Sequence, residues 1–240
     1  MVEARSGVVD RIDQYFRRRD TALSRVVEAV SPQTSDSYLN NGVKRTLDVS
    51  VSVPAAMIAA PLVAALGIAK KVEDGGPVFF THERVSSDGR DPINLIKIRC
   101  MKPNSDLGAK NLQIAREFTA SQDPRNTRLG SFMRRFQLEE LPQLLQVALG
   151  KISLIGIRPA SSYSFDHFEK EWSPKRYKRW KEAYNRGPLG LSGVTQVFGS
   201  PYKIDEKRFH PDVFYVKKAS LGFDLYLMWK TFYSLFLRKH

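Results

Sequence analysis

Cysteine is nearly absent from this 240-residue sequence, which has a single thiol, Cys100. One cysteine cannot form an internal disulfide or supply a thiolate metal cluster. Because no histidine stands near it in the sequence, Cys100 is also a poor candidate for a thiol nucleophile. The histidines show no zinc-binding spacing; they are His82, His167, His210 and His240. Glycine-rich nucleotide loops of the P-loop and dinucleotide-binding types are missing as well.

The first 30 residues lack the apolar segment of a secretory signal, so we expect no such signal. With 42% hydrophobic residues, the composition is that of a folded protein of about one domain. The charge is unusual, because 38 Lys+Arg against 25 Asp+Glu give a net charge of +13. Such a surplus indicates an anionic partner, namely a nucleic acid, an acidic lipid surface or a phosphorylated substrate.

One long apolar run covers residues 49–69, which contain no charged side chain. Its 21 residues are about the length that a transmembrane helix needs. Basic residues flank the run on both sides; they are Lys44, Arg45, Lys70 and Lys71. Since basic residues hold a helix end on the cytoplasmic side, both ends of this segment are expected there.

Two prolines, Pro54 and Pro61, lie inside the same run. Each removes a helix hydrogen bond and favours a kink. Three interpretations follow: a simple span, a buried core helix, and a re-entrant helix that bends near Pro61 and returns. The prolines and the flanking charges together favour the re-entrant helix.

Beyond the run, residues 77–82 and 93–98 have strand character and are separated by turn residues, which predicts a hairpin. Lys97 and Arg99 are two positions apart, so both are expected on one face, where paired cations could bind phosphate. The alternative is a solvated strand edge, where lysine is common. Residues 108–122 have a helical pattern, and residues 33–42 are expected to form a polar linker.

Glu139 and Glu140 form an adjacent carboxylate pair within a basic stretch. Because Pro142 belongs in a first helical turn, the pair is expected at the N-terminal end of a helix. Acidic residues at that place often serve only to stabilise the helix dipole. Alternatively, the carboxylates could bind a divalent metal or attack phosphorus. Nearby arginines could hold a diphosphate; they are Arg128, Arg134, Arg135 and Arg158.

Aromatic residues Tyr177, Trp180 and Tyr184 form a stripe on a predicted helix that is otherwise rich in Lys and Arg. This pattern is typical of a helix in the lipid headgroup layer, where Tyr177 and Trp180 would contact the membrane. It is equally typical of a surface helix that docks its aromatic side chains on the core.

Motifs along the chain, by their order and spacing, resemble the bacterial sugar transferases, also called monotopic phosphoglycosyl transferases. The matching stretches lie between about residues 44 and 231. They include KRTLD at 44–48, PVFFTHER at 77–84, KIRCM at 97–101, DPRNTRLG at 123–130, LEELPQL at 138–144, SLIGIRP at 153–159, GLSGVTQV at 190–197 and DVFYV at 212–216, with Pro61 at the position of a membrane-bending Ser-Pro.

The resemblance implies an α+β, monotopic membrane protein with a re-entrant helix, a small β-hairpin and surrounding amphipathic interfacial helices. Residues 1–43 would be an N-terminal arm and linker, and residues 44–71 the re-entrant helix. Residues 72–240 would form a catalytic domain on the cytoplasmic face of the bacterial inner membrane. The implied partners are a nucleotide-sugar donor, a polyprenyl phosphate acceptor and the anionic membrane, and a homodimer is compatible with them.

The implied reaction moves a sugar phosphate from a nucleotide diphosphate sugar, expected to be a UDP-sugar, to polyprenyl phosphate, and so initiates glycan or glycolipid synthesis. Members of the family work through an Asp-Glu pair and Mg²⁺. Here Glu139 stands at the nucleophile position, and Glu140 at the position of its metal-holding partner. Residues at positions expected to bind phosphate or substrate are Lys97, Arg99, Arg128, Arg158 and Gln196.

The sequence departs from the family pattern at Glu139, which replaces the usual Asp and is one methylene longer. Further departures stand at Ala60, Cys100, Gln146, Lys151 and Ile157. A second hypothesis is therefore a catalytically altered member that acts as a membrane-bound partner or regulator of glycan assembly. A nucleic acid partner rests only on the net charge, which anionic headgroups explain as well, so we expect none.

Overall fold

The computed structural model describes residues 32–87, 92–103, 105, 122–198 and 209–237. The helices in these ranges are α1 (Pro32–Asn40), α2 (Val43–Asp74), α3 (Arg128–Phe136), α4 (Gln143–Ala148), α5 (Ser162–Glu171), α6 (Pro174–Arg186), α7 (Val194–Phe198), α8 (Phe209–Lys218) and α9 (Leu221–Leu237), with a 3-10 helix at Leu138–Glu140. The strands are β1 (Phe79–Arg84), β2 (Ile93–Ile98), β3 (Ser153–Ile155) and β4 (Gly190–Ser192). The predicted α+β class is confirmed.

Strands β1 and β2 form the predicted hairpin, paired antiparallel from Phe79 opposite Ile98 to Arg84 opposite Ile93. The first strand starts two residues later than the prediction and extends to Arg84. Residues 88–91 of the predicted turn lie outside the described residues, as does the predicted helix over residues 108–122 apart from Gln122. The hairpin places alternate side chains of β1 and β2 on one face.

The main core lies around the short parallel pair β3–β4 and helices α5, α6, α8 and α9. Its largest fully buried side chains include Phe168, Trp180, Tyr184, Tyr215 and Phe223. Close backbone approach holds the parallel pair together. A Cβ atom at Gly156 would lie 2.2 Å from the carbonyl oxygen of Pro188, so only glycine fits at this position.

Helix α6 corrects an expectation about the aromatic stripe. The Trp180 indole is fully buried, and its Nε1 donates a hydrogen bond to Asp212 at 2.9 Å. Tyr184 is fully buried too, and Tyr177 is partly buried against the core. The expected headgroup contact is therefore wrong for Trp180, because burial in the protein core satisfies both the ring and its N–H. The aromatic face of α6 docks on the core, and Lys175, Lys178 and Lys181 on the same helix are exposed.

Helix α2 contains the apolar run and continues for 32 residues through Pro54 and Pro61. It is long and apolar enough to cross a membrane, judged by length and composition. From residue 53 to residue 65 no side chain is buried, and Ile58 is 79% exposed. The buried residues of α2 stand toward its two ends, and several of them are polar. A core helix would bury its apolar middle, whereas α2 leaves its apolar middle unburied. The buried-core interpretation is therefore ruled out.

The N-terminal end of α2 is bound to the core by charged side chains. Lys44 Nζ lies 2.9 Å from Asp48 Oδ1 and 2.9 Å from Asp224 Oδ2, and all three residues are buried. Asp48 also accepts hydrogen bonds from Ser153 Oγ at 2.7 Å and from the Leu154 amide at 3.0 Å. These contacts join α2 to β3 and α9.

The C-terminal end of α2 is bound to the same protein body. Lys70 is fully buried, and its Nζ lies 2.8 Å from Thr127 Oγ1, 2.8 Å from Glu73 and 2.9 Å from Asp74. The Arg99 guanidinium forms a two-pronged ion pair with Asp74. Both ends of the long apolar helix are therefore fixed by buried polar contacts.

Helix α1 corrects the prediction of a polar linker over residues 33–42. Ser35 Oγ donates to the Val216 carbonyl at 2.6 Å, and Tyr38 OH donates to Asp224 Oδ2 at 2.8 Å. Tertiary contacts with α8 and α9 thus stabilise a helix that the polar local sequence did not indicate.

Candidate functional site

The segment that carries Glu139 and Glu140 turns sharply between α3 and α4. Gln137 ends α3 with a φ of 56°, and its amide bonds to the Met133 carbonyl. It is the one non-glycine residue with positive φ among the described residues. The glutamates follow in the 3-10 helix, and Pro142 caps α4. The pair therefore precedes α4 directly, close to the predicted position.

Lys97 of β2 faces this segment, and its Nζ donates a hydrogen bond to Glu140 Oε1. The two side chains are 21% and 22% exposed, so the pair is partly shielded from water. Burial would raise the pKa of Glu140, but the positive charges of Lys97, Arg158 and Arg84 lower it below its usual value. Glu140 is therefore ionised at neutral pH, with cations on more than one side.

His82 belongs to the same cluster. It lies opposite Leu95 in the hairpin, on the face that carries Lys97. The side chains of Arg84 and His82 bond at 3.2 Å between a guanidinium nitrogen and Nδ1. Burial lowers the pKa of His82 to about 4, with Arg84, Lys97 and Arg158 adding to the effect. The ring is therefore neutral at pH 7, and Nδ1 accepts the hydrogen bond from Arg84.

Glu139 has a buried carboxylate oxygen, Oε2, without a hydrogen-bond partner. Burial, and then the negative charge of Glu140, raise the pKa of Glu139 to about 7, although Lys97 and Arg134 act in the opposite direction. A buried carboxylate oxygen without a partner is costly for folding and rare in native proteins. Its position beside several cations marks it as a candidate functional group.

Cys100 lies close enough to this carboxylate for their charges to interact. The thiol is buried, and its pKa is raised to about 11 by burial and then by Glu139. A thiolate is the reactive form of cysteine, so this thiol is unreactive at neutral pH. Its burial and raised pKa agree with the expectation that Cys100 is a poor candidate for a nucleophile.

Gln146 joins α4 to β2. Its Oε1 accepts a hydrogen bond from the Ile96 amide at 2.9 Å, and its Nε2 donates to the Asn94 carbonyl at 2.7 Å. Arg45 holds the end of α4 from the other side, through the carbonyls of Val147 and Ala148 at 2.6 Å each. The helix that follows the glutamates is therefore fixed both to the hairpin and to α2.

The other residues expected at the site lie in different surroundings. The guanidinium of Arg99 contacts Asp74 and the carbonyls of Pro77 and Met101, so its contacts hold the end of α2 rather than Glu139 or Glu140. Arg128 is exposed at the start of α3. Gln196 lies on α7, where its Nε2 donates to the Leu191 carbonyl at 3.3 Å and its Oε1 is buried without a partner.

Sequence reasoning missed His82, Arg84 and Gln146. The hairpin register would have placed His82 and Arg84 on the Lys97 face, since residues opposite each other in a β-ladder share a face. Gln146 was visible only as a departure from the family pattern, because its role depends on the distance between a helix and a strand.

The donors at the site fit a Mg²⁺ ion, which proteins commonly bind through one or two carboxylates together with substrate phosphates. Glu139 and Glu140 are adjacent, and Glu139 Oε2 is a buried oxygen without a partner. Within the described ranges no group of three or more His, Cys, Asp or Glu side chains could hold a metal. Two carboxylates would suit an ion whose other ligands come from a bound molecule, and the positive charges of Lys97 and Arg158 act on Glu140 at the same place.

Comparison with known proteins identifies the family. A family model described as bacterial sugar transferase matches residues 39–238 of this chain. The chain is 33% identical over 192 residues to a UDP-N-acetylgalactosamine-undecaprenyl-phosphate N-acetylgalactosaminephosphotransferase of Aeromonas hydrophila, covering 79% of this chain and 42% of that protein. It is 36% identical over 197 residues to an undecaprenyl-phosphate galactose phosphotransferase of Salmonella typhimurium, covering 78% and 39%.

A third relative is of more similar length. The exopolysaccharide production protein ExoY of Sinorhizobium fredii is 30% identical over 203 residues, covering 78% of this chain and 83% of that protein. The chain spans about two fifths of the Aeromonas and Salmonella relatives and most of ExoY. Since the family model matches most of its length, this chain belongs to the bacterial sugar transferase family.

Proposed function

We propose that this protein transfers a sugar phosphate from a UDP-sugar to a polyprenyl phosphate. The observation that carries the proposal is the buried, unpartnered Oε2 of Glu139 beside the Lys97–Glu140 ion pair. The cations around it suit a diphosphate, and the relatives are named as undecaprenyl-phosphate sugar phosphotransferases.

The reaction divides into two displacements at phosphorus. In the first, a carboxylate oxygen of Glu139 attacks the phosphorus that carries the sugar, and the bond to the nucleotide breaks to release UMP. In the second, a phosphate oxygen of the polyprenyl phosphate attacks the same phosphorus. The bond to Glu139 then breaks, which restores the carboxylate and leaves a sugar diphosphate on the lipid.

Residues around Glu139 would hold the reacting groups. Lys97 and Arg158 would contact the diphosphate, and the neutral ring of His82 would keep Arg84 oriented beside them. Glu140 would hold Mg²⁺, which when bound would offset negative charge on the phosphate oxygens. Arg128 and Gln196 remain candidates for contacts with more distant parts of the donor. The contacts of Arg99 favour a structural role instead.

Exposed apolar side chains near the glutamates support a membrane seat. Phe132 and Phe136 of α3 are 51% and 39% exposed, and Leu145 and Leu149 of α4 are 58% and 65% exposed. Apolar surface of this kind beside a site suits an acceptor that is anchored in lipid. We therefore place the catalytic residues at the headgroup level of the cytoplasmic face of the inner membrane.

We further propose that α2 enters the bilayer without crossing it. Its 32 residues would measure about 48 Å if straight, and a spanning helix of that length would separate its ends across the membrane. Yet Lys44 at one end and Lys70 at the other are both buried in the same protein body. Pro54 and Pro61, in the exposed middle of the helix, offer the places where it could bend.

Cysteine labelling tests this topology. Asn41→Cys and Val72→Cys place thiols at exposed positions near the two ends of α2, and the native Cys100 is buried. With a membrane-impermeant maleimide, we expect both thiols to react in inverted vesicles and neither to react in intact cells. If one thiol reacted only in inverted vesicles and the other only in intact cells, α2 would be a spanning helix.

The proposed activity is tested by a donor screen. The full chain in lipid nanodiscs is given Mg²⁺, undecaprenyl phosphate and one of several UDP-sugars, and the release of UMP is measured. We expect release with at least one donor, and none when Glu139→Gln replaces the wild type. Binding of donor without release across a broad panel would instead support the hypothesis of a non-catalytic partner.

A further inference from the structure

Gln146 occupies the edge of β2 that faces away from β1. Its side chain is on the inward face of α4, and the residue is only 3% exposed. One amide group accepts from Ile96 N and donates to Asn94 O, two backbone groups that an adjacent strand would otherwise pair. Among the described strands, β1 is the one neighbour of β2. The Gln146 amide therefore takes the place of a second neighbouring strand.

This side chain bridges α4 and β2 through two hydrogen bonds. Lys97 follows Ile96 directly on β2, while Glu139 and Glu140 precede α4 on the same short stretch of chain. The hydrogen bonds of the Gln146 side-chain amide go to the β2 backbone and not to either glutamate. A change in its length should move the glutamates relative to Lys97 without removing any group that touches the substrate.

We propose that Gln146 is a positioning residue that holds Glu139 at the distance from the Lys97 cluster that the transfer requires. This inference rests on the proposed function, because it takes Glu139 to be the attacking group. Displacements of about 1 Å from the reactive geometry can lower a rate by about 10²-fold, so one methylene is enough to matter.

The proposal predicts compensation between two shortened side chains. Gln146→Asn retains the amide oxygen and nitrogen, but the side chain is one methylene shorter. To keep both hydrogen bonds, α4 must move toward β2. Glu139→Asp withdraws the carboxylate by one methylene. On this proposal the shorter Gln146 brings the glutamates toward the Lys97 cluster and the shorter Glu139 takes its carboxylate away from that cluster, so the two changes together should partly restore the position of the reacting oxygen.

The experiment compares wild type, Glu139→Asp, Gln146→Asn and the combined variant in nanodiscs with an active UDP-sugar and undecaprenyl phosphate. We expect kcat to fall about 10²-fold for Glu139→Asp and about 10-fold for Gln146→Asn. The combined variant should regain at least about 10-fold over Glu139→Asp alone. KM for the donor should change less than kcat, since no contact with the donor is removed.

Two controls separate positioning from a general loss of stability. Ser35→Ala removes one buried hydrogen bond, from Ser35 Oγ to the Val216 carbonyl on α8, and should not rescue Glu139→Asp. Gln146→Glu keeps the side-chain length but cannot donate to Asn94 O. When the two variants lose the same thermal stability, Gln146→Glu should lower kcat more than Ser35→Ala does. Like Ser35→Ala, it should not rescue Glu139→Asp.

The outcomes distinguish this inference from the proposed function. If the effects of Glu139→Asp and Gln146→Asn simply multiply, Gln146 does not position Glu139 and the inference is wrong. If Gln146→Asn does not fold, the inference depends on Gln146→Glu, and a kcat equal to that of Ser35→Ala would overturn it. If no UDP-sugar of the panel releases UMP, the proposed function fails, whatever the Gln146 variants do. If Glu139→Gln turns over at the wild-type rate, the role of Glu139 as the attacking group fails and the inference fails with it.

Discussion

Two clusters of charged side chains in this protein are built on opposite principles. In the first, Lys44 pairs with Asp48 and Asp224, and all three side chains are buried. Ser153 and the Leu154 amide donate to Asp48. The hydroxyls of Tyr38 and Tyr215 donate to Asp224 at 2.8 and 3.0 Å. Every carboxylate oxygen of this first cluster therefore has a partner.

In the second cluster, around Glu139, the pairing is incomplete. Lys97 binds Glu140, yet Glu139 Oε2 remains buried without a hydrogen bond. Burial of charged groups therefore has two uses in this protein. The complete cluster joins α1, α2, β3 and α9 and stabilises the fold. The incomplete cluster costs folding energy and retains an oxygen that can react or bind a ligand.

The largest effect should come from Glu139→Gln. An amide cannot attack phosphorus, so we expect transfer to fall by about 10⁴-fold or more. The fold should persist, because the neutral amide removes a buried carboxylate that has an unpaired oxygen. UMP release measures the activity and thermal unfolding measures the stability. The matched control is Glu182→Gln, at an exposed position of α6. A large loss of stability would instead show that Glu139 stabilises the fold.

The opposite result is expected for Asp224→Ala in the complete cluster. This change leaves Lys44 with one of its two carboxylate partners and removes the acceptor of the Tyr38 hydroxyl, while the Tyr215 hydroxyl keeps the Ile155 carbonyl at 3.1 Å. We expect the free energy of unfolding to fall by about 3–5 kcal/mol. Chemical denaturation in detergent measures it, with the exposed Asp166→Asn as control. A change below about 1 kcal/mol would contradict the structural role.

The smallest effect concerns pH. Burial raises the pKa of Glu139 from 4.5 to about 7, so the folded state favours the protonated form. The contribution of Glu139 to stability is therefore present below about 4.5 and is lost as the pH rises through about 7. Relative to Glu139→Gln, the wild type should become less stable across this window, by about 1–3 kcal/mol. A difference that does not change with pH would mean that the pKa of Glu139 is ordinary.

Local sequence was enough to predict the hairpin and the position of Glu139 before a helix. These features depend on strand alternation and on Pro142, which act within a few residues. The helix α1 was missed because Ser35 and Tyr38 find their partners on α8 and α9, more than 180 positions away. The core position of Trp180 depends on Asp212 in the same way.

The candidate site was predicted only in part for the same reason. Glu140 and Lys97 were identified from their motifs, and the structure brings them together. Arg99 was expected on the same face, but it lies one residue beyond the end of β2, and its guanidinium pairs with Asp74. The sequence showed Gln146 as a departure from the family pattern, but its contacts could be recognised only when the spacing between α4 and β2 was known.

The most direct test of the central claim is the intact mass of the protein after incubation with Mg²⁺ and an active UDP-sugar, without the lipid acceptor. We expect a mass increase equal to one sugar phosphate, located by peptide analysis on Glu139 and removed when undecaprenyl phosphate is added. Glu139→Gln should show no increase. A turnover of donor to lipid product with no adduct, or with the adduct on another residue, would contradict the account of Glu139 as the attacking group.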